Sequence, residues 1–186
     1  MLTNQNAHAQ RLYDSLSDHA GEKAADDFID VLPLSKSADI ERKFKWAENV
    51  CAYLESHFEE SAIRKIRRHC NCDYGITKAS EMKAVLRRTN NFKEFAQKYN
   101  DLRRGGKIQI DGGKLFYIFP RCYCACVKRI DKPISKTWCY CSLGFVKSLF
   151  ERAFDSEVDV DLIETIKSGG TQCVFEVTLK SRKIVD

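Results

Sequence analysis

Eight of the chain's nine cysteines fall in three tight clusters and one late singleton: Cys70 and Cys72, then Cys122, Cys124 and Cys126, then Cys139 and Cys141, and lastly Cys173. Cys51 stands apart. The polar first twenty residues carry Asp14, Asp18 and two histidines and read as neither signal nor transit peptide, so a reducing cytoplasmic location is expected. Thiols at this density in such a compartment point to coordination of a soft metal ion. Thiolates hold zinc or an iron–sulfur cluster, and residue types alone do not choose between them. The candidate metal ligands are Cys70, Cys72, Cys122, Cys124, Cys126, Cys139 and Cys141, with His69 beside the first pair. Two other uses stay open. The thiols could be small apolar core side chains, or they could form disulfides, for which opposed pairs such as Cys122 and Cys141 are natural.

Positioning these residues falls first to helices, which the first hundred residues suggest. Ser35 or Ser37, with Ser37 the closer fit, can cap a segment beginning at Ala38. Its apolar residues Ile40, Phe44, Ala47, Val50, Cys51, Leu54 and Phe58 recur at helical spacing, which places Cys51 in the core. A second run over 59–68 leads into His69-Cys70-Asn71-Cys72, with Gly75 ending the turn. Helices over 77–88 and 92–103 follow. The basic run Arg64-Lys65-Ile66-Arg67-Arg68 reads as a solvated helix face, and His57 beside Phe58 as a helix-surface or core residue.

At Gly105-Gly106 the period becomes alternating. Residues 107–110 and 114–119 flank Asp111-Gly112-Gly113, a hairpin signal. After Pro120, 122–127 is expected as a strand, and 137–141 as its return across Ile130-Asp131-Lys132-Pro133. Side chains two apart on a strand share a face, so an antiparallel register sets Cys122 opposite Cys141 and Cys124 opposite Cys139. Opposed Cβ atoms stand about 4.5–5.5 Å apart, near enough for four thiolates to close on one tetrahedral ion. A helix over 142–154 and a hairpin of 158–166 with 173–179 complete the chain. The expected fold is α+β: a helical region over 1–104 packed on a small antiparallel sheet with one helix over 105–186, together one compact unit.

A hydrophobic content of 44% over 186 residues suffices for a real core, and the net charge of +5 is too mild and too dispersed for a nucleic-acid module. The longest apolar run falls short of a bilayer span, so no membrane partner is expected. Glu164 and Asp73 are candidate acid–base groups. The glycine pairs belong to turns rather than to a phosphate-cradling loop, and no serine lies in a nucleophile elbow.

The stretch Trp138-Cys139-Tyr140-Cys141-Ser142-Leu143-Gly144-Phe145, the helix after it, Val158–Glu164, and Gly169-Gly170-Thr171-Gln172-Cys173-Val174-Phe175 together resemble the end of the 4-vinyl reductase domain. They are also similar to bacterial proteins grouped with the 2-amino-thiazoline-carboxylic acid hydrolases. The resemblance covers about a quarter of the chain. It implies a 4-vinyl reductase-like sheet domain that binds a small apolar molecule, often as a sensor, with Cys173, Glu164 and Gly169 at the family's positions. Thr165 and Gly170 depart from it, standing where a cysteine and an aspartate are common. The expected function is therefore a metal-binding, small-molecule-binding or sensory protein. Phe116, Tyr117, Phe119, Tyr123, Trp138, Tyr140 and Phe175 could wall its pocket. The alternative is a hydrolase or a thiol-based oxidoreductase acting on a small molecule.

Overall fold

The computed structural model describes residues 5–70 and 75–180, so Cys72 and Asp73 lie outside the described residues. Six helices come first: α1 Ala7–Ala20, α2 Glu22–Val31, α3 Ile40–His57, α4 Glu60–His69, α5 Ile76–Leu86 and α6 Phe92–Asp101. Strands β1 Lys107–Asp111 and β2 Lys114–Phe119 follow, then α7 Lys136–Cys139, α8 Cys141–Phe154, β3 Val158–Glu164 and β4 Cys173–Leu179. Helices with one four-stranded antiparallel sheet, ordered β1-β2-β4-β3, make the α+β fold expected. By internal contacts the chain forms two compact units, Met1–Cys72 with Tyr123–Gly144, and Asp73–Cys122 with Phe145–Asp186.

In the first unit α1 packs on α2 and α4, and α3 packs on α4 and α7. Leu12, Leu16, Phe28, Leu54 and Ile66 form its fully buried core. The cap of α3 is Asp39 rather than Ser37: its carboxylate accepts from the Arg42 N–H at 2.8 Å, immediately before the first helical residue. A carboxylate there also meets the positive end of the helix dipole. On α4 the buried residues are Ile63, Ile66 and Arg67, with Cys70 buried just past the helix end.

In the second unit Gly112 and Gly113, at φ 54° and 71°, make the tight turn of the β1–β2 hairpin. Two successive positive φ angles match the right-handed strand twist, which is why glycine is needed at both. The ladder pairs Leu115 with Val177 and Tyr117 with Phe175, while β3 sets Val160 and Leu162 against the same two β4 residues. One face of the sheet is therefore continuously apolar. Phe150 of α8 meets Tyr117 edge-on at 5.5 Å, and Phe154 meets Phe95 of α6 the same way at 5.5 Å.

The two cysteine strands are not formed. Residues after Pro120 make a turn in which the N–H groups of Val127 and Lys128 both donate to Cys124 O, at 3.3 and 3.0 Å. Thr137 and Cys139 lie in the short helix α7, capped by Ser135, whose Oγ accepts from the Thr137 N–H. Pro120, which offers no N–H, follows directly on the end of β2 at Phe119, and the backbone groups of 124–128 bond within their own turn instead of across a ladder.

Candidate functional site

The first unit brings thiols from four places to one buried guanidinium. Arg67 projects from α4 into the core, where its residue is only 3% exposed. Its Nη2 donates to Trp138 O at 2.7 Å and its guanidinium lies 4.4 Å from the centre of the Trp138 ring. Trp46 of α3 packs edge-on against the same indole at 5.7 Å. Arg67 Nε is buried and has no hydrogen-bond partner. Burial lowers the pKa of this guanidinium, but Cys141, Cys70, Cys51 and Cys124 act the other way and leave it raised. A buried cation is thus surrounded by groups able to carry negative charge.

Cys124 is half-buried, as is Cys141, whereas Cys51 and Cys70 are buried. The Trp138 Nε1–H donates a hydrogen bond to the Cys124 sulfur at 3.3 Å. The neighbouring Cys126 thiol and the main-chain N–H groups of Cys126 and Val127 also favour its ionised form. Led by the Cys126 thiol and against the opposing effect of burial, they lower the pKa of Cys124 from its ordinary 9.0 to about 6. Cys126, held protonated by Cys124 and itself buried, is pushed up. Burial raises Cys51 to about 12 and also raises Cys70, whose thiol donates to Ile66 O at 3.3 Å. One thiol is made acidic while its neighbours are kept protonated.

Loop placement is secured from α3 and α4. Ser135 Oγ donates to Glu55 Oε1 at 2.5 Å, and Tyr140 Oη donates to Glu60 Oε1 at 2.8 Å. Both bonds hold α7, and so Trp138, against the helices that carry Cys51 and Arg67.

Of the expected site residues, Cys70, Cys124 and Cys141 thus lie about Arg67, Cys126 lies in the same turn as Cys124, and Cys139 lies on α7. Cys122 belongs to the second unit. The zinc or iron–sulfur centre is corrected: among the described residues no group of three or more His, Cys, Asp or Glu side chains is placed to hold a metal ion. The metal-based function falls with it. A guanidinium in their midst supplies the positive charge that a metal would have brought, and it repels another cation.

Of the aromatic residues expected to wall a pocket, Tyr117 and Phe175 are buried in the core of the second unit, and Tyr123, Trp138 and Tyr140 belong to the first. Glu164 holds a turn: its Oε1 accepts from the N–H groups of Thr171 at 2.6 Å and Gln172 at 3.2 Å. Cys173 pairs with Phe119 in the ladder. Among the imidazoles, Nδ1 of His57 and of His69 bonds a carbonyl one helical turn back, Tyr53 O and Lys65 O, at 2.8 Å each. His8 Nδ1 bonds Arg11 at 2.9 Å, and His19 packs on the His69 ring at 4.2 Å. A groove of about 470 Å³ on α5 and α6 is lined in part by Glu81, Arg88, Lys98 and Arg104, with no thiol or imidazole. Two of its cations are paired, Arg104 with Glu81 at 2.9 Å and Lys98 with Glu94 at 2.7 Å.

Arg67 is the site residue that the sequence reading missed. The signal was present: Ile63, Ile66 and Cys70 define a buried stripe, and Arg67 lies on it, one turn after Ile63.

The family described as "Family of unknown function (DUF6144)" matches residues 1–184. The chain belongs to the DUF6144 family. That match over nearly the whole length replaces the 4-vinyl reductase-like assignment of the C-terminal third, and the hydrolase alternative drawn from the same resemblance goes with it. No curated protein matches this DUF6144 chain. Among solved structures it is similar to an H-NOX protein from Shewanella oneidensis in the Fe(II)NO ligation state, at 11% identity and a TM-score of 0.44, covering 95% of this chain and 100% of that one. An H-NOX domain from Shewanella oneidensis in the Fe(II)CO ligation state gives 10% identity, a TM-score of 0.44 and coverage of 96% and 99%. A single-substitution variant of T. tengcongensis H-NOX gives 12%, 0.39, and 95% and 97%. Among the described residues no helix is long and apolar enough to cross a membrane.

Proposed function

We propose that this DUF6144 protein responds to a small molecule, and that its receptor group is the Cys124 thiolate. One contact carries the reading: the Trp138 indole N–H aimed at Cys124 Sγ from 3.3 Å. An indole N–H only donates, so the sulfur must accept there, as a thiolate does best. With its pKa lowered to about 6, Cys124 is far more ionised at pH 7 than an ordinary thiol. Half-burial beside Trp138 and Val127 admits a compact, partly apolar, soft electrophile and keeps out bulky ones. Reaction removes the negative charge on the sulfur. Arg67 then stays buried with less to offset it, a costly state that drives α4 and the 122–130 turn to rearrange. That rearrangement is the response.

The test is alkylation of the reduced full chain by iodoacetamide across pH 5 to 9, with labelled positions mapped by mass spectrometry. Cys124 is expected to label first, with a midpoint near pH 6 and at pH 7 roughly tenfold faster than Cys173, whose thiol burial raises. Labelling of Cys124 no faster than Cys173 would overturn the proposal. So would a porphyrin Soret band in the purified protein with Cys124 shielded from the reagent.

A further inference from the structure

We propose that the groove on α5 and α6 binds a small amphipathic monoanion: an acyl chain of medium length ending in a carboxylate. The groove belongs wholly to the second unit and contains no residue of the thiol site. Its volume of about 470 Å³ lies within the range of small-molecule sites, about 300–1,000 Å³.

Spacing along the chain builds its walls. Glu81, Ala84, Val85 and Arg88 recur at three- and four-residue steps, so they share one face of α5 and the turn that ends it. Ala79 and Met82 are the buried residues of that helix. A stripe with such spacing normally meets a neighbouring element, yet Ala84 is exposed and Val85 is half-buried. Lys98 and Leu102 stand one turn apart on the other wall, and Leu102 keeps 40% of its surface exposed. The chain then turns through Arg103, at φ 51°, and Arg104 returns to meet Glu81 at 2.9 Å. Ala84, Val85 and Leu102 give the groove an apolar floor that an acyl chain would cover, releasing water.

The rim carries the charge. Arg88, Lys98 and Arg104 set three cations against two carboxylates, since Glu81 holds Arg104 and Glu94 holds Lys98 at 2.7 Å. Lys98 Nζ also donates to Arg88 O at 3.2 Å, which ties the ammonium to the end of α5 and leaves one of its N–H groups for a ligand. Arg88 has no carboxylate of its own: among the described residues its guanidinium makes neither an ion pair nor a hydrogen bond. One positive charge is therefore unmatched, and it sits on the planar fork that grips a carboxylate with two parallel bonds. A cationic ligand would be repelled there, and an uncharged one would leave Arg88 without a partner.

Titration calorimetry of the full chain with decanoate tests this, at pH 7, in low salt and below the concentration at which decanoate forms micelles. Decanoate is expected to bind, and octanoate to bind roughly tenfold more weakly, because two fewer methylenes cover the floor. Acetate, the head without the chain, and decyltrimethylammonium, the chain with the opposite charge, should give no saturable heat. Arg88→Gln should weaken decanoate roughly tenfold. Ala84→Glu sets a carboxylate one turn before Arg88, where it should occupy the guanidinium and abolish binding. Arg87→Gln removes an exposed arginine outside the groove and should leave the affinity unchanged. All three positions are exposed, so the urea midpoint of each variant should match the parent. Absence of saturable heat from decanoate, equal affinity for decyltrimethylammonium, or parental affinity in both Arg88→Gln and Ala84→Glu would each overturn the proposal. Capture on dioleoylphosphatidylglycerol vesicles without binding of free decanoate would overturn it in favour of a membrane surface.

Discussion

At the scale of single residues, the site depends on how few donors are needed to make one thiol acidic. Cys124 is made acidic by the neighbouring Cys126 thiol, the Trp138 indole N–H and two main-chain N–H groups, while Cys51 and Cys70, equally close to Arg67 in effect, stay protonated because burial dominates. Trp138 is the side chain best suited to probe this. Trp138→Phe keeps an aromatic ring for Arg67 and Trp46 to pack on but deletes the N–H. The Cys124 pKa should rise by about one unit and its alkylation at pH 6.5 slow roughly threefold, with little change in circular dichroism. An unchanged rate would show that the indole bond contributes nothing to the acidity.

At the scale of elements, hairpins and helices were legible because their signals are local. Asp111-Gly112-Gly113 can hardly be anything but a tight turn, and the alternation in Lys114–Phe119 and Cys173–Leu179 marks a buried face. The cysteine strands misled for the opposite reason. Alternate spacing is compatible with a strand, but it does not exclude the turn that 124–128 form or the short helix α7 that Ser135 caps. The β3–β4 connection yields a further expectation. A Cβ on Gly170 would stand 2.4 Å from Glu164 Cγ, the side chain whose carboxylate gathers the Thr171 and Gln172 N–H groups. Gly170→Ala should therefore lower stability by about 1–3 kcal/mol, read as a fall in the urea midpoint. This glycine stands where the 4-vinyl reductase resemblance led one to expect an aspartate, and the contact with Glu164 accounts for its small size.

For the whole molecule, the shifted groups set the pH profile of stability. The Cys124 acid is held below its ordinary 9.0, at about 6, so its contribution is full above 9 and is lost as pH falls through 6. His8 is lowered to about 4, first by burial and then by Arg11, Arg67 and Lys43, so the folded state keeps it neutral. The unfolded chain binds that proton below 6.5, and stability falls further between 6.5 and 4. Cys51, raised to about 12, acts oppositely: the folded state retains a proton that the unfolded chain loses, so its contribution fades as pH climbs beyond 9. Stability should accordingly rise from pH 4 toward pH 9 and decline above. Urea unfolding at about pH 5, 7, 8.5 and 10 measures this, and Cys124→Ser should flatten the rise between 6.5 and 9 only.

What the amino-acid order determined by itself was the alphabet of elements: amphipathic helices, two hairpins with their turns, a thiol-rich segment and a stripe of α4 that runs through Arg67. Each of these is a matter of spacing along a few residues, where side-chain direction follows directly from the backbone period. What the thiols surround was decided only in three dimensions. Whether Cys124 faces a metal, another strand or an indole depends on which distant elements pack against the 122–130 turn. Burial of Arg67 among Cys51, Cys70 and Cys141 follows from how α3, α4 and α7 pack on one another. Charge and desolvation act through space, so the acidity of one sulfur is a property of the fold and not of its sequence neighbours alone.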